Sequence, residues 1–501
     1  MQTDSTKPLR VVIAGGGTAG WLAASALSQQ MGGLVDITLV ESSEIGTVGV
    51  GEATIPPMKT FHRLLRINEQ EFMKATHATF KLGIQFENWK NGHDTYFHSF
   101  GETGKQTLIT EFIHFWQRGK ALGFSKEFSD YCIEFRAAME NRMSTVSDTT
   151  INHAYHLDAG LYATFLAQIA KAGGVKRVDG KIAQVQQDSS TGNITTLLLD
   201  SGEAVHGDFF IDCTGFKGLL IEKTLRTGFE DWSHWLPCDS AIAVQTESSG
   251  APSPYTRSIA HSAGWRWRIP LQHRVGNGIV FSRDYLSEDE ATDSLLKSVD
   301  GKLITSPKVI HFRTGKRRKS WNKNCVAVGL SSGFLEPLES TSIHLVMTAV
   351  TRILQLFPHG NIQQSVIDEY NVQADSEMEK IRDFIILHYK ATEREDSKFW
   401  QYCKNMDVPE ELAHRIRLFR QAGKSYQTEG ELFRLDSWTQ VMLGQGIEPE
   451  KFHPIVMAMR PQELKQFLNS VENHVSRTVE KLPMHDQFLK QYCDIHVPIT
   501  C

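Results

Sequence analysis

The chain has 501 residues, of which 41% are hydrophobic and 22% are charged, and its formal net charge is −5. This balance is typical of a folded globular protein and argues against a nucleic-acid partner, which favours a basic face. No apolar run approaches the roughly 18 residues that a membrane-spanning helix needs, and the first ten residues are polar rather than a secretion signal. The seven cysteines form no CxxC pair, so we expect reduced thiols, no metal site and a cytoplasmic protein.

The first element is an apolar strand that runs directly into the motif Gly15-x-Gly17-x-x-Gly20. A helical pattern follows, and a second apolar strand over residues 35–40 ends on Glu41. This order predicts a dinucleotide-binding β-α-β unit, because the glycines allow a tight turn, close approach of a pyrophosphate and packing of helix on strand. Helix N–H groups would hold the phosphates, and Glu41 would accept hydrogen bonds from a ribose.

Residues 44–57 contain three glycines within six positions and end in two prolines, so they cannot form a helix interior. This composition predicts a loop that lies against a flat group such as a flavin. A flexible loop without a ligand is the alternative.

Residues 79–86 alternate apolar and polar side chains, which predicts one strand with Lys81 on the face opposite the apolar set. The pattern by itself indicates a solvated lysine. An aromatic cluster with one histidine follows at 96–101, and for it ordinary core packing is the favoured interpretation on pattern alone.

The remaining patterns predict a partly helical insertion, one helix, several strands and a helical end. In chain order these are the insertion 104–150, a helix over 154–172, strands over 175–185, 195–199 and 208–215, a strand over 265–270 with both tryptophans on one face, a buried strand over 325–330, a helix from Ile343, and mostly helix over 365–495. Free N–H groups before the helix at Ile343 could hold an anion.

Several separated motifs resemble the flavin-dependent tryptophan/indole halogenases. The glycine motif is similar to the family's FAD fingerprint, and Gly264-Trp265-x-Trp267-x-Ile269-Pro270 is similar to its GWxWxIP signature. Residues 334–341 form a third match, and residues 49–54 resemble the strap between flavin and substrate. The resemblance implies an α/β FAD-binding, Rossmann-like module with an interleaved β-rich substrate region and a mostly α-helical C-terminal part. The expected domains are 1–340, with insertions at about 60–150 and 220–320, and 341–501.

The resemblance also implies roles for single residues. Lys81 and Glu339 match the catalytic pair, and the backbone N–H groups of Thr341 and Ser342 match the halide site. The family commonly has glycine where Ser342 stands, which leaves the halide preference open. The cofactor-binding residues that we expect are Gly15, Gly17, Thr18, Ala19, Gly20, Glu41, Gly51, Ala53, Ile182, Leu330 and Ile343.

On the substrate side, His98 and Phe100 fit the positions that sandwich an indole ring, and Trp438 is a third wall. Trp265 and Trp267 would keep the substrate away from the flavin. The tyrosine pair that closes over the amino-acid part of free tryptophan is not found, which favours a less decorated indole.

The chemistry implied is halogenation. Reduced FAD from a separate NAD(P)H-dependent flavin reductase, dioxygen and chloride or bromide give hypohalous acid, which is relayed to Lys81 for electrophilic aromatic substitution. Glu339 would orient the electrophile or take the ring proton. Whether Lys81 hydrogen-bonds the acid or forms a haloamine stays open, as do the substrate, the ring position and a homodimer. The alternatives are an FAD-dependent aromatic hydroxylase and a non-catalytic flavin-binding interaction protein.

Overall fold

The structure, a computed structural model, describes residues 7–44, 51–145, 151–358 and 360–494. The part of the predicted strap that falls on residues 49–50 lies outside these ranges. The strands are β1 (Leu9–Ala14), β2 (Val35–Glu41), β3 (Gly51–Ala53), β4 (Thr79–Lys81), β5 (Gly83–Glu87), β6 (Thr95–Ser99), β7 (Ala154–Asp158), β8 (Lys176–Asp179), β9 (Ile182–Gln187), β10 (Ile194–Leu199), β11 (Ala204–His206), β12 (Phe209–Asp212), β13 (Phe229–Asp231), β14 (Ser240–Thr246), β15 (Thr256–His261), β16 (Gly264–Pro270), β17 (Val275–Phe281), β18 (Lys308–His311), β19 (Gly315–Arg317), β20 (Trp321–Asn322), β21 (Cys325–Ala327) and β22 (Gly333–Phe334). The helices are α1 (Thr18–Met31), α2 (Pro57–Leu64), α3 (Glu69–Thr76), α4 (Phe112–Ala121), α5 (Ile133–Met139), α6 (Ala159–Ala172), α7 (Glu288–Ser298), α8 (Ser342–Gln355), α9 (Gln364–Lys390), α10 (Lys398–Asn405), α11 (Glu410–Ala422), α12 (Leu435–Gly444), α13 (Pro461–Glu480) and α14 (His485–Asp494).

The chain forms two compact units that alternate along the sequence. The first consists of Met1–His77, Leu157–His234 and Phe312–Met378, and the second of Ala78–His156, Trp235–His311 and Glu379–Cys501. This division follows spatial compactness. The predicted domain boundary at residue 340 divides the chain by its secondary structure instead, and it stays a prediction.

The first unit is built on a six-stranded sheet with the order β20-β21-β12-β1-β2-β8. Strand β1 is parallel to β12 on one side and to β2 on the other, and β20 is the antiparallel edge strand. The inner residues of β1 are buried, as expected for a parallel strand covered on both faces. Helix α1 packs against α6 and α8. The predicted β-α-β unit and Rossmann-like class are therefore confirmed.

The second unit is built on a seven-stranded sheet with the order β18-β14-β17-β16-β15-β5-β6. Its pairings are antiparallel except for β5 beside β15, which is parallel. Along β16 the two tryptophans are buried while Arg266 and Arg268 are partly exposed, so the prediction that both indoles share one face is confirmed.

Several predicted elements were wrong in detail. The strand predicted over 325–330 ends at Ala327 and is followed by a 3-10 turn at Gly329–Ser331. Two further differences concern residues 79–86 and 154–158. Residues 79–86 form two strands rather than one, because the N–H of Leu82 leaves the ladder and donates to Pro254 O at 2.7 Å. Residues 154–158 are the strand β7 rather than helix. Helix α6 begins only at Ala159, because the side chain of Asp158 accepts the N–H groups of Gly160 and Leu161 at 3.0 and 3.1 Å and caps it there.

The helical C-terminal part is confirmed by α9 to α14. Over the described ranges, none of the helices combines the length and apolar character needed to cross a bilayer. The same residues contain no cluster of three or more histidine, cysteine or acidic side chains that could hold a metal ion.

Candidate active site

The glycine turn, residues 15–20, connects β1 to α1 in the first unit. Gly15 has φ +109°, and a Cβ built on it would lie 2.2 Å from the carbonyl oxygen of Cys213. A Cβ on Gly20 would lie 1.9 Å from Gly15 O. The turn is also tied to β2, since Gly15 N–H donates to Val40 O at 2.8 Å. Backbone therefore packs on backbone here, and side chains at either glycine are excluded.

The start of α1 suits a phosphate group. Its N-cap position is Gly17 in extended conformation, and no side chain caps the helix. The first N–H groups of an α-helix have no partner within the helix, so an uncapped start next to a glycine turn can hold an anion. Thr18 and Ala19 lie at this start, where the sequence predicts cofactor-binding residues.

Asp212 organises the backbone beside the glycine turn, and sequence reasoning missed it. One carboxylate oxygen accepts the N–H and hydroxyl of Thr214 at 2.9 and 2.7 Å. The other accepts the N–H groups of Leu220 and Ile221, each at 2.8 Å. The residue is fully buried, so these bonds fix the segment whose Cys213 carbonyl faces Gly15. A carboxylate that ends an apolar strand was the available signal.

Further predicted cofactor residues lie in the same unit. Glu41 ends β2 and pairs with Arg177, and its backbone oxygen accepts Gly180 N–H at 2.8 Å, two residues before Ile182. Leu330 follows Gly329, at which a Cβ would touch Ala19 Cβ at 3.0 Å. Gly51 and Ala53 lie on β3 of the same unit. The residues present therefore fit a dinucleotide cofactor such as FAD.

The predicted halide segment forms a tight turn before α8. Glu339 ends a 3-10 turn, and Ser340 adopts a left-handed conformation with φ +61°. Helix α8 then begins at Ser342 with Thr341 as its uncapped N-cap residue. Glu339 and Thr341 are fully buried, and Thr341 Oγ1 has no hydrogen-bond partner within the described residues. A buried helix start of this kind can hold an anion on its backbone N–H groups. Ile343 is buried on the first turn.

A buried charged cluster connects α8 to Glu377 of α9. Arg352 donates to Glu377 at 2.9 Å, Thr348 Oγ1 donates to the same oxygen at 3.0 Å, and His344 Nε2 lies 3.5 Å from the other oxygen. Burial tends to raise the pKa of Glu377, but the bonds from His344 and Arg352 outweigh it and hold that pKa below its ordinary value. Glu377 is therefore held as a carboxylate that braces the first three turns of α8.

In the second unit, Lys81 ends β4 and is fully buried. Its Nζ lies 5.2 Å from the centroid of the Phe100 ring, within cation–π range. The backbone brings the two residues together, because Phe100 N–H donates to the oxygen of Leu82 at 3.0 Å. The expectation from pattern alone, a solvated lysine, is wrong.

A neutral histidine lies on the strand beside Lys81. His156 on β7 pairs with Thr79, and Thr79 Oγ1 donates to Pro270 O at 2.7 Å. That hydroxyl therefore accepts from His156 Nδ1 at 3.0 Å, while Nε2 accepts from Thr256 at 2.9 Å. Burial first, and then the charge of Lys81, lower the pKa of His156 well below its ordinary value. The strand thus offers no second cation next to Lys81.

His98 lies on β6, paired with Ile84 of β5, and is buried. Its ring lies 5.5 Å from Phe384 and 6.1 Å from Phe433, and those two phenyl rings stack with centroids 3.8 Å apart. Sequence reasoning missed both phenylalanines, since one sits inside a long helix and the other in a loop. We call Lys81, His98, Phe100, Phe384 and Phe433 the lysine cluster.

Trp438 on α12 adjoins the lysine cluster. Its ring meets Phe384 edge-on at 4.8 Å and lies 4.4 Å from the guanidinium of Arg415. Its indole N–H donates to Glu431 at 3.0 Å, and Arg415 pairs with that carboxylate at 2.9 Å. Only 1% of Trp438 is exposed. It backs the aromatic ring that touches His98, and its role as a substrate wall stays a prediction.

Trp265 and Trp267 lie side by side on β16 with ring centroids 6.0 Å apart. Trp267 pairs with Gly278 of β17 and lies over it, since a Cβ at Gly278 would be 2.0 Å from the ring. Trp267 Nε1 has no hydrogen-bond partner in the part of the chain that is described. Backbone register, which sets Trp267 over Gly278, thus fixes the position of the Trp267 ring.

The predicted site residues therefore form two groups, one in each unit. The first unit gathers the glycine turn, Glu41 and the α8 turn with Glu339. The second contains the lysine cluster with the adjoining Trp438 and, separately on β16, the two tryptophans.

Comparison with known proteins gives consistent matches. The family model described as tryptophan halogenase matches residues 10–461. A tryptophan 6-halogenase of Streptomyces toxytricini, SttH, is 34% identical over 97% of this chain and 98% of its own. Among solved structures, the flavin-dependent halogenase Xcc4156 from Xanthomonas campestris is 53% identical, with a TM-score of 0.96 over 98% of this chain and 99% of that one. BrvH, a flavin-dependent halogenase from Brevundimonas sp. BAL3, is 43% identical, with a TM-score of 0.93 over 96% and 99% of the two chains.

Proposed function

Because the chain belongs to the tryptophan halogenase family and is a flavin-dependent halogenase, we propose that Lys81 delivers its electrophilic halogen to an indole ring held by His98 and Phe100. The observation that carries this proposal is the burial of Lys81, with its Nζ 5.2 Å from the Phe100 ring. A buried ammonium beside aromatic faces acts in a low dielectric, where hydrogen bonds to an incoming oxidant are strong.

Reduced FAD, when bound, supplies with dioxygen the oxidant that converts halide to hypohalous acid. The chain's own residues hold the halide, direct the acid and manage a proton. The N–H groups of Thr341 and Ser342 at the start of α8 bind the halide. At Lys81 the acid transfers its halogen to a ring carbon, the ring loses its proton, and the oxygen leaves as water.

We assign the ring proton to Glu339, in keeping with its resemblance to the family's catalytic glutamate. Its carboxyl group is fully buried two residues before Thr341, which supports a role in a closed site. A positioned carboxylate contributes roughly 10²- to 10⁴-fold in rate when it takes up a proton in the transition state.

The substrate that we propose is an indole without an anchored amino-acid group. The aromatic contacts around His98, the stacked Phe384 and Phe433 rings, support recognition of a flat ring. We also propose a separate NAD(P)H-dependent reductase as the source of reduced FAD, since the sequence carries one dinucleotide fingerprint. The homodimer stays a prediction.

The test combines purified protein with a flavin reductase, FAD, NADH and either chloride or bromide. Products from indole, tryptophan and substituted indoles are measured by mass spectrometry. We expect halogenated product with a higher kcat/KM for indole than for tryptophan. A product that gains oxygen and forms equally without halide would favour the aromatic hydroxylase.

The variant Lys81→Met tests the assigned lysine. We expect halogenated product to fall by at least about 100-fold, because positioned activation of the electrophile is lost, while NADH and oxygen consumption continue. Lys316→Met is the matched control, since Lys316 is also buried but pairs with Asp375 in the first unit. Normal product formation by Lys81→Met would refute the role of this lysine.

A further inference from the structure

The segment after β6 carries Phe100 without the support of a strand. Strand β6 ends at Ser99, and residues 100–103 belong to no helix or strand. On one side the segment is held by the bond from Phe100 N–H to Leu82 O. The position of the Phe100 ring relative to Lys81 therefore depends on what holds the other side.

The side chain of Gln440 on α12 supplies that contact. Its Oε1 accepts the N–H of Ser99 at 2.8 Å. Its Nε2 donates to Thr103 Oγ1 at 3.0 Å and to Gly101 O at 3.4 Å. The carboxamide thus bonds the chain on both sides of Phe100, and it is only 6% exposed. Both of its polar ends are used, which fixes its orientation.

Neighbouring contacts support the same segment. Asp436, one turn before Gln440 on α12, accepts Thr103 N–H at 2.9 Å. Ser99 Oγ accepts Gly101 N–H at 3.0 Å. The bond to Ser99 closes the turn, whereas Asp436 and the carboxamide of Gln440 both connect the segment to α12. Asp436 holds the segment only at Thr103, whereas Gln440 bonds it on both sides of Phe100, so a change at Gln440 would loosen the part that carries Phe100.

We propose that Gln440 is a positioning residue that sets how the indole ring lies against Phe100 and His98, and so which ring carbon faces Lys81. This inference rests on the proposed function of the lysine cluster. Displacement of a reacting atom by about 1 Å can cost on the order of 100-fold in rate. A small movement of Phe100 is therefore enough to change which ring position reacts.

The test uses Gln440→Glu, which keeps the size of the side chain and an acceptor for Ser99 but removes the two donated bonds. Positional isomers of halogenated indole are quantified by chromatography with mass detection, together with KM, kcat and Tm. We expect the ratio of major to minor isomer to fall by about tenfold, with a rise in KM and more flavin oxidation per product.

Thr439→Val is the matched control. Thr439 is the preceding residue on α12, has similar burial, and bonds Ser425 Oγ at 3.0 Å instead of the turn. Thr439→Val should lower Tm about as much as Gln440→Glu does, while its isomer ratio stays that of the wild type.

Thr103→Val provides a second, milder variant in case Gln440→Glu does not fold. It removes the hydroxyl that accepts from Gln440, and we expect a smaller shift in the isomer ratio in the same direction. Lower Tm with unchanged isomer ratio and KM in the folded variants would reduce Gln440 to a structural role and overturn the inference. Absence of halogenated product from the wild type would instead overturn the proposed function.

Discussion

The glycine turn of the first unit and the lysine cluster of the second reach their geometry by different means. In the glycine turn, backbone meets backbone, and the decisive atoms are those that glycine lacks. In the lysine cluster, five side chains come from β4, β6 with the turn after it, α9 and a loop before α12. Steric constraints on the backbone thus appear in the sequence as a glycine motif at the first site. The residues of the second site are far apart in the sequence and come together only when the chain folds.

We expect the largest effect from a substitution in the glycine turn. Gly20→Ala places a Cβ at a position 1.9 Å from Gly15 O, so the start of α1 must move away from β1. We expect FAD binding to weaken by at least about 100-fold, because the helix start that should hold the phosphates is displaced. Titration of FAD by fluorescence quenching measures this.

Gly33→Ala is the control, since nothing lies within 4 Å of a Cβ at that glycine. Lys81→Met should differ from Gly20→Ala, because it should bind and oxidise flavin normally while it loses halogenated product. If Gly20→Ala bound FAD with wild-type affinity, the backbone account of the turn would fail.

An intermediate effect concerns acid sensitivity, which both units share. Burial lowers the pKa of His62 to about 3, despite a nearby Glu69 that raises it, and lowers the pKa of His261 to about 3 and of His485 to about 4. At these three positions the unfolded chain therefore binds more protons than the folded chain between about pH 4 and pH 6.5, and the stability that they contribute is lost as pH falls through that window.

From pH 7.5 to pH 5.5, each such histidine should lower the free energy of unfolding by about 1.4 kcal/mol. Urea denaturation at both pH values, followed by circular dichroism, measures the change. His62→Gln should remove about one histidine's share of this pH dependence. Exposed His93→Gln is the control and should leave it unchanged. An unaltered pH dependence in His62→Gln would mean that His62 becomes protonated within the fold.

We expect the smallest effect at Ser340, where a constrained backbone conformation is not marked by a glycine. Ser340 occupies a left-handed conformation, φ +61°, with no glycine to mark it. Ser340→Gly should raise the free energy of unfolding by about 0.5–1 kcal/mol, because a residue with a Cβ is strained there. Ser332→Gly, at φ −83°, is the control and should be neutral or destabilising. A loss of stability in Ser340→Gly would show that the serine side chain outweighs the strain.

The parts of the molecule that could be predicted are those with a local cause. The β-α-β unit follows from apolar runs and glycine spacing, and the exposure pattern of β16 follows from its alternation. The start of α8 also follows, because a polar Ser-Thr-Ser run precedes an apolar helical pattern.

The rest depends on contacts that are distant in sequence. The sequence around Leu82 contains no signal that its N–H donates to Pro254 O and that the predicted strand is divided there. In the sequence, Phe384 and Phe433 cannot be distinguished from other apolar residues. In the folded chain their rings stack on each other beside His98. Asp158 could have marked the start of α6, yet the apolar pattern on both sides of it concealed the strand.

The alternation of the two units along the chain has a practical consequence for engineering. The polypeptide passes between them five times, after residues 77, 156, 234, 311 and 378. No single cut can therefore release either unit as a fragment. A chimaera that takes its lysine-bearing unit from a relative must exchange three separate stretches at once, each with two matched junctions or a terminus.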